Sequence, residues 1–316
     1  MSVNRASTYR CLLDEQPGYL VPPRLLARDV ANASFVNRRC WLSWKSARAK
    51  QLRPADPFLG ASTSSEEIAW VGDPATGAVW PYWIGPECLP FIKRLVPGEP
   101  APSDLPERLR WTLAMADILL PWDQGAARRR EWLDVRTDRS IRFHRDFAVV
   151  PHLIPPFHLG AMRLHYRRQI RMGNFILGDE QVTRRFAAHD DPLSRFVQAQ
   201  LTRAISEIIG RPIKPTYTYF IAYQGGALLA SHRDRRSCEY SVTLLVDATP
   251  EPHEQSPWPF QIQTESGKSS VWQYIGEAVF YRGRSNSHWR DRLKEDHTSS
   301  SLLMHFVDSC FSTGPS

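Results

Sequence analysis

Ser231-His232-Arg233-Asp234 is the stretch on which the reading of this chain turns. On a strand, residues two apart project to the same face, so the His232 imidazole and the Asp234 carboxylate are presented together. A neutral imidazole and a carboxylate on one face can grip a divalent transition metal. A second histidine would complete a two-histidine, one-carboxylate face that leaves three metal positions open. His288 is the candidate for it. The bland alternative is a solvated loop pair and an unrelated histidine, and HxD pairs do arise by chance, so the surroundings must decide.

The surroundings read as strands. Tyr217 to Tyr223 is β-rich and ends at the turn signal Gln224-Gly225-Gly226, and Ala227 to Ser231 leads into His232. Downstream, Tyr240–Val246, Trp258–Thr264, Ser270–Tyr274, Ala278–Tyr281 and Ser301–Val307 are further short strands separated by turns. That rhythm predicts a β-sandwich or barrel. Trp258, Phe260 and Trp272 are expected to pack between its sheets.

Upstream, Asp190-Asp191-Pro192 opens a helix, with proline in the first turn. Phe196, Val197, Leu201, Ile205, Ile208 and Ile209 recur at three- and four-residue steps, and Gly210 stands where a C-terminal glycine cap belongs. This amphipathic helix needs a sheet to lie on. Another helix is predicted from about Leu159 into Gly173, and a third from Ser103-Asp104 to about Leu120, stopping before Pro121. Arg128 to Leu133 suggests one more helical turn, and Val79–Ile84 and Phe147–Leu153 are candidate strands. The first 100 residues are rich in proline and glycine, yet Trp41, Trp44, Trp70, Trp80 and Trp83 predict packing there, because disordered segments are poor in aromatics. The expected organisation is a mixed helical and irregular region over 1–145, packed on a β domain with supporting helices over 146–316.

With 316 residues the chain is long enough for a sizeable core, and its 42% hydrophobic and 23% charged content is that of an ordinary globular protein. No apolar run is long enough for a membrane span, and no apolar segment follows Met1–Arg5 as a secretion signal requires. A soluble, cytoplasmic protein is therefore expected. The five cysteines form no CxxC pair, which argues against a disulfide framework or a zinc knuckle. The net charge of +7 goes with arginine-rich stretches at Arg128–Arg130, Arg163–Arg171 and Arg233–Arg236, but no nucleic-acid-binding signature accompanies them, so solvated surface explains the charge best and no nucleic-acid partner is expected.

The ordered set around His232 resembles the iron(II)- and 2-oxoglutarate-dependent dioxygenase superfamily, in its prolyl-4-hydroxylase-like branch. Members carry a tyrosine and glycine ahead of an HxD pair, a strand after it, a glycine-acid-hydrophobic strand and a distal histidine. Here these are Tyr223-Gln224-Gly225-Gly226, His232 and Asp234, Ser241–Val246, Gly276-Glu277-Ala278-Val279-Phe280-Tyr281, and His288. The resemblance covers roughly residues 215 to 308. It implies a double-stranded β-helix (a jelly roll, cupin-like) with Fe(II) held by His232, Asp234 and His288. The co-substrates would be 2-oxoglutarate and O2, with ascorbate as an optional reductant and succinate and CO2 as co-products. Relatives that halogenate replace the carboxylate with a small residue, so Asp234 favours hydroxylation or another oxidation.

The pattern breaks at one place. Members hold the far carboxylate of 2-oxoglutarate with a Lys or Arg about ten residues past the distal histidine, where this chain has His297-Thr298-Ser299-Ser300-Ser301. A buried carboxylate needs charge-assisted donors. Arg290, two residues beyond His288, is the leading substitute, with Ser299, Ser301 and His297 as further donors. Tyr223 matches a position that often bonds the co-substrate.

Other residues read more plainly. His305 is expected to be a core or supporting histidine, His165 and His189 ordinary helix or turn residues, and Tyr217 and Tyr219 strand residues, one of which is a candidate to line the pocket. Arg233 should point away from the metal, while Arg235 or Arg236 is a candidate to meet an acidic substrate group. The expected function is hydroxylation of an unactivated C–H bond of a free amino acid or small metabolite, for example in secondary metabolite biosynthesis, with a carboxylate-bearing substrate preferred. The rivals are a peptidyl (prolyl-type) hydroxylase, a nucleic-acid demethylase (disfavoured because paired arginines on the last strand are missing) and a degenerate jelly-roll binding module.

Overall fold

The computed structural model describes residues 9–13, 20–26, 32–43, 67–121 and 147–312. Contacts divide the chain into two units. No helix among the described residues is long and apolar enough to cross a membrane.

The first unit runs to Trp132 and takes in Ile154–Asn174. Its strands are β1 (Leu12–Leu13), β2 (Ala33–Val36), β3 (Cys40–Ser43), β4 (Ile68–Gly72), β5 (Val79–Ile84) and β6 (Leu119–Pro121). One sheet has the order β1-β5-β4-β3, and β2 pairs with β6. Trp70, Trp80, Tyr82 and Trp83 are buried, so the tryptophan-rich segment packs as its composition predicts. Trp44 and Arg128–Leu133 lie outside the described residues.

Two helices of this unit test the sequence reading. Pro156–Arg171 forms a helix near the predicted place. The helix expected from Ser103 to Leu120 spans only Glu107–Met115. Asp104 is drawn away to Arg94, which donates to its two oxygens at 2.8 Å each. At the other end Asp117 takes a φ of +56° and turns the chain, so that Leu119–Pro121 pairs with β2 instead of extending the helix.

The second unit holds Leu133–Leu153 and Phe175–Ser316 and is mainly β. Its strands are β7 (Phe147–Val150), β8 (Ile176–Leu177), β9 (Arg185–His189), β10 (Ile213–Tyr223), β11 (Leu229–His232), β12 (Tyr240–Thr249), β13 (Phe260–Thr264), β14 (Gly267–Val271), β15 (Ala278–Tyr281), β16 (His288–Arg290) and β17 (Thr298–Asp308). They form a seven-stranded sheet, β7-β15-β12-β17-β10-β9-β8, and a four-stranded sheet, β11-β16-β13-β14. Every pairing in both is antiparallel. The pair β8–β9 and the short β16 are strands that the sequence reading did not isolate, and His189 accordingly ends a strand rather than sitting in a turn.

The amphipathic helix forms as predicted, over Pro192–Ile209. The Asp191 carboxylate caps it by accepting from the Leu193 and Ser194 amides, and Gly210 closes it at a φ of +76°, a conformation that costs glycine little. Its Phe196, Val197, Leu201, Ile205 and Ile208 are buried, each contributing roughly 1.5–3 kcal/mol of transfer free energy. Polar contacts fix its register on β10: the hydroxyls of Ser194 and Thr218 lie 2.6 Å apart, and Gln198 Nε2 donates to the Tyr217 and His305 carbonyls. Thr218 and Phe220 are thereby buried on one side of β10, while Tyr217, Tyr219, Ile221 and Tyr223 turn to the other.

A cavity of about 820 Å3 takes that other side. It is bounded by residues of both sheets of the second unit, including Tyr223, Ser301 and His305 from the large one and His232, Phe260 and His288 from the small one. Trp258 and Phe260 are buried in apolar clusters of this unit, but Trp272 is 45% exposed and does not pack between the sheets. It follows the last residue of β14, where the chain has already left the ladder.

Candidate metal centre and active site

Two strands of the small sheet bring the histidines together. His232 ends β11 and its cross-strand partner on β16 is His288. Their ring centroids are 4.3 Å apart. Asp234 lies beyond the end of β11, not on the strand as expected, and is fixed there by its amide donating to the Gly283 carbonyl at 2.9 Å. His232 Nε2 and His288 Nε2 approach the same oxygen, Asp234 Oδ1, at 3.8 and 3.5 Å.

The remaining ring nitrogens set the tautomers. His232 Nδ1 lies 2.9 Å from the Ala230 carbonyl, and His288 Nδ1 lies 3.1 Å from the Asn286 carbonyl. A carbonyl only accepts, so both Nδ1 atoms carry the proton and both Nε2 lone pairs face Asp234. Burial, then the neighbouring His288, lowers the pKa of His232 and keeps it in the neutral form a metal needs.

Asp234 is held by its other oxygen. Ser241 donates its hydroxyl to Oδ2 at 2.7 Å, leaving Oδ1 toward the histidines. Burial raises the carboxyl pKa, but the surrounding His288, His305 and Ser241 outweigh it and hold the group at about 2, so Asp234 is the anionic member of the set. Gly283 makes this approach feasible: a β-carbon there would overlap Asp234 Oδ2 and crowd the Ser241 hydroxyl. Two nitrogen lone pairs and one carboxylate oxygen, all within 4.8 Å of one another, suit a divalent transition metal with open positions.

The same cavity contains a buried cation. Arg290 is 4% exposed, donates to the Trp258 carbonyl at 2.8 Å and to Gln273 Oε1 at 3.1 Å, and lies 4.8 Å over the Trp258 ring. Among the described residues no carboxylate comes within ion-pair distance of it. Burial lowers its pKa to about 10, which still leaves it charged at neutral pH. A buried charge without a counter-ion is costly, so this guanidinium suits an anion from outside the chain.

The other expected co-substrate residues divide. Ser301 and Tyr223 line the cavity with Arg290, and the Ser301 hydroxyl is buried without a hydrogen-bond partner. The Ser299 hydroxyl is likewise buried and unbonded, but Ser299 is not part of the cavity wall. His297 is not in the wall either. Its ring turns to Asp296, with Nδ1 2.7 Å from Oδ1, because it sits in the turn ahead of β17. Arg233 and Arg235 both border the cavity. Arg233 does not point away as strand alternation predicted, because β11 has already ended and its Nε reaches the Ser287 hydroxyl at 3.3 Å.

Sequence reasoning missed Arg185, Ser241 and Tyr281. Arg185 is 4% exposed and donates to Asp179 at 2.7 Å, Gln181 at 3.0 Å and the Tyr223 hydroxyl at 3.3 Å. Tyr281 is buried with its hydroxyl 3.4 Å from His288 Nε2. Only strand register places these beside the triad, although the alternation of β12 and β15 was readable. His305 is buried, as expected, but its ring also lines the cavity. Burial pulls its pKa down to about 4.

No protein-family profile matches the sequence, and no curated protein is similar to it. Solved structures do show similarity. A prolyl-4-hydroxylase from Pseudomonas putida aligns at 17% identity over 55% of this chain and 95% of its own, with a TM-score of 0.44. AviO1 from Streptomyces viridochromogenes Tue57 aligns at 17% identity over 56% and 98%, with a TM-score of 0.45. HygX from Streptomyces hygroscopicus, solved with nickel, 2-oxoglutarate and hygromycin B bound, aligns at 12% identity over 56% and 88%, with a TM-score of 0.44.

Proposed function

We propose that the protein is a non-haem iron(II)- and 2-oxoglutarate-dependent oxygenase that hydroxylates an unactivated C–H bond of a free amino acid or another small metabolite. One observation carries this reading. Two Nε2 lone pairs and one carboxylate oxygen converge in a cavity that also holds Arg290, a buried cation with no carboxylate opposite it. The two antiparallel sheets around that cavity fit a double-stranded β-helix, and we assign the oxygenase domain to residues 146–316 less Ile154–Asn174, which group with the first unit.

In this reading His232, Asp234 and His288 hold the iron through Nε2, Oδ1 and Nε2. Arg290 takes the far carboxylate of 2-oxoglutarate, assisted by the Ser301 hydroxyl and Tyr223, with Ser299 two residues from Ser301 on β17. When bound, iron and 2-oxoglutarate supply the oxidation, O2 being divided between succinate, formed with loss of CO2, and the substrate. The protein's own groups do the rest. The Ala230 and Asn286 carbonyls and the Ser241 hydroxyl keep the three ligands in one orientation. Phe260, Ile221, Leu229 and Leu303 line the cavity with apolar surface and limit water around the reacting atoms. Arg233 and Arg235 have no carboxylate within ion-pair distance among the described residues and border the cavity, which suits a carboxylate-bearing substrate.

A turnover screen tests the assignment. The protein with Fe(II), 2-oxoglutarate and O2 is incubated with amino acids, small metabolites and prolyl peptides, reading succinate and a mass gain of one oxygen. Product from an amino acid or metabolite is expected. Turnover confined to peptides would overturn the substrate class.

A further inference from the structure

His305 is a buried histidine on the cavity wall that the chemistry above does not use. We propose that its Nε2 is the substrate's docking acceptor: it takes a hydrogen bond from a hydroxyl or N–H of the substrate and so decides which C–H bond faces the metal. This deepens the oxygenase reading and rests on it for the word substrate, while the acceptor itself follows from hydrogen bonding alone.

The proton count fixes the tautomer. Ser241 has one hydroxyl proton and gives it to Asp234 Oδ2 at 2.7 Å. Its oxygen also lies 3.0 Å from His305 Nδ1. With its proton committed, Ser241 can only accept there, so His305 Nδ1 carries the hydrogen and Nε2 carries a lone pair. Register enforces this arrangement, because Ser241 and His305 are cross-strand partners on β12 and β17.

The lone pair has no protein donor. Among the described residues Nε2 makes no hydrogen bond, although His305 is 3% exposed and borders the cavity. The Ser241 contact at Nδ1 sets the ring's orientation, and Tyr217 packs on it at 4.5 Å while itself stacked on His189 at 4.9 Å. The Tyr217 hydroxyl is engaged by Cys238 Sγ at 3.0 Å. Unlike the sealed Ser299 and Ser301 hydroxyls, Nε2 is accessible from the cavity, so an O–H or N–H entering there can replace water on its lone pair.

Its position suits a substrate rather than the co-substrate. Ser301, Leu303 and His305 line the cavity from one face of β17. His305 lies four residues along from Ser301, about 13 Å on an extended strand. A ring nitrogen of His305 there comes within 4.8 Å of an Asp234 carboxylate oxygen, beside the candidate metal ligands.

The test uses the wild-type protein, labelled with 15N-histidine and loaded with Zn(II) and 2-oxoglutarate. Long-range proton–nitrogen spectra read each ring nitrogen, and the His305 signals are identified by their loss in His305→Gln or His305→Asn. The probes are a matched pair, cyclohexanol and methoxycyclohexane, which differ in the donor proton. The expected result is a protonated Nδ1, a bare Nε2, and an Nε2 resonance that moves with cyclohexanol and not with its ether. A protonated Nε2, an equal response to both probes, or no response to the alcohol would overturn the proposal. The oxygenase reading fails separately: if Fe(II) and 2-oxoglutarate give no charge-transfer band while Nε2 still discriminates the probes, the acceptor stands and the reaction does not.

Discussion

Ser241 and Asp234 are joined by a 2.7 Å hydrogen bond that commits one carboxylate oxygen and leaves the other, Oδ1, facing both histidines. The bond thereby selects the ligand atom. Ser241→Ala should free the carboxylate to rotate and weaken metal binding by about 10- to 100-fold, the usual range for losing a supporting partner of a ligand. Metal titration by calorimetry, with the melting temperature as a check on folding, measures it.

Gly283 guards the same contact. Because a β-carbon would overlap Asp234 Oδ2, Gly283→Ala should displace the carboxylate and abolish metal binding more completely than Ser241→Ala. Far-ultraviolet circular dichroism alongside the titration separates this from loss of the fold. Undiminished affinity in the alanine variant would show that Asp234 is not a ligand.

Arg290 is assigned the co-substrate carboxylate and His297 is not. Removing a charge-assisted hydrogen bond costs about 1.5–3 kcal/mol, so Arg290→Gln should raise the Kd for 2-oxoglutarate by roughly 10- to 100-fold and leave metal affinity unchanged. His297→Ala, whose ring turns to Asp296, should change neither. The converse pattern would move the anchor to the turn before β17.

Asp179 binds the Arg185 Nε at 2.7 Å and accepts from the Tyr219 hydroxyl at 2.9 Å. Burial raises its pKa, but Arg185, the Val182 amide and Tyr219 outweigh it and lower the folded-state value. A carboxyl more acidic folded than unfolded stabilises the fold fully above its unfolded value of about 4. That contribution fades as the pH falls through the folded value. Asp179→Asn should therefore lower the melting temperature at pH 7 and narrow its gap to wild type in acid, measured by calorimetry from pH 7 to pH 3.

How far the site could be read in advance follows from what each residue depends on. His232, Asp234 and His288 were legible because they stand in an ordered run of strand and turn signals, and the Pro192–Ile209 helix because its period, cap and glycine agree. Arg185 was not legible. Arg185-Phe186-Ala187-Ala188-His189 has no clear alternation, and only pairing with β10 makes it a strand and sets Arg185 opposite Tyr223. Ser241 was quoted as the start of a strand, but its role depends on register with His305 across β12 and β17. Trp272 looked like core from its type and is exposed because the ladder ends one residue earlier. Local chemistry was therefore readable, and what long-range pairing decides was not.

The central claim is that His232, Asp234 and His288 hold an iron to which 2-oxoglutarate binds. Adding Fe(II) and 2-oxoglutarate to the protein without oxygen tests it most directly. A visible metal-to-ligand charge-transfer band is predicted for the wild type, lost in His232→Ala and Asp234→Ala while both variants keep their circular dichroism. A wild-type protein that gives no band, or an Asp234→Ala variant that gives it undiminished, would contradict the account.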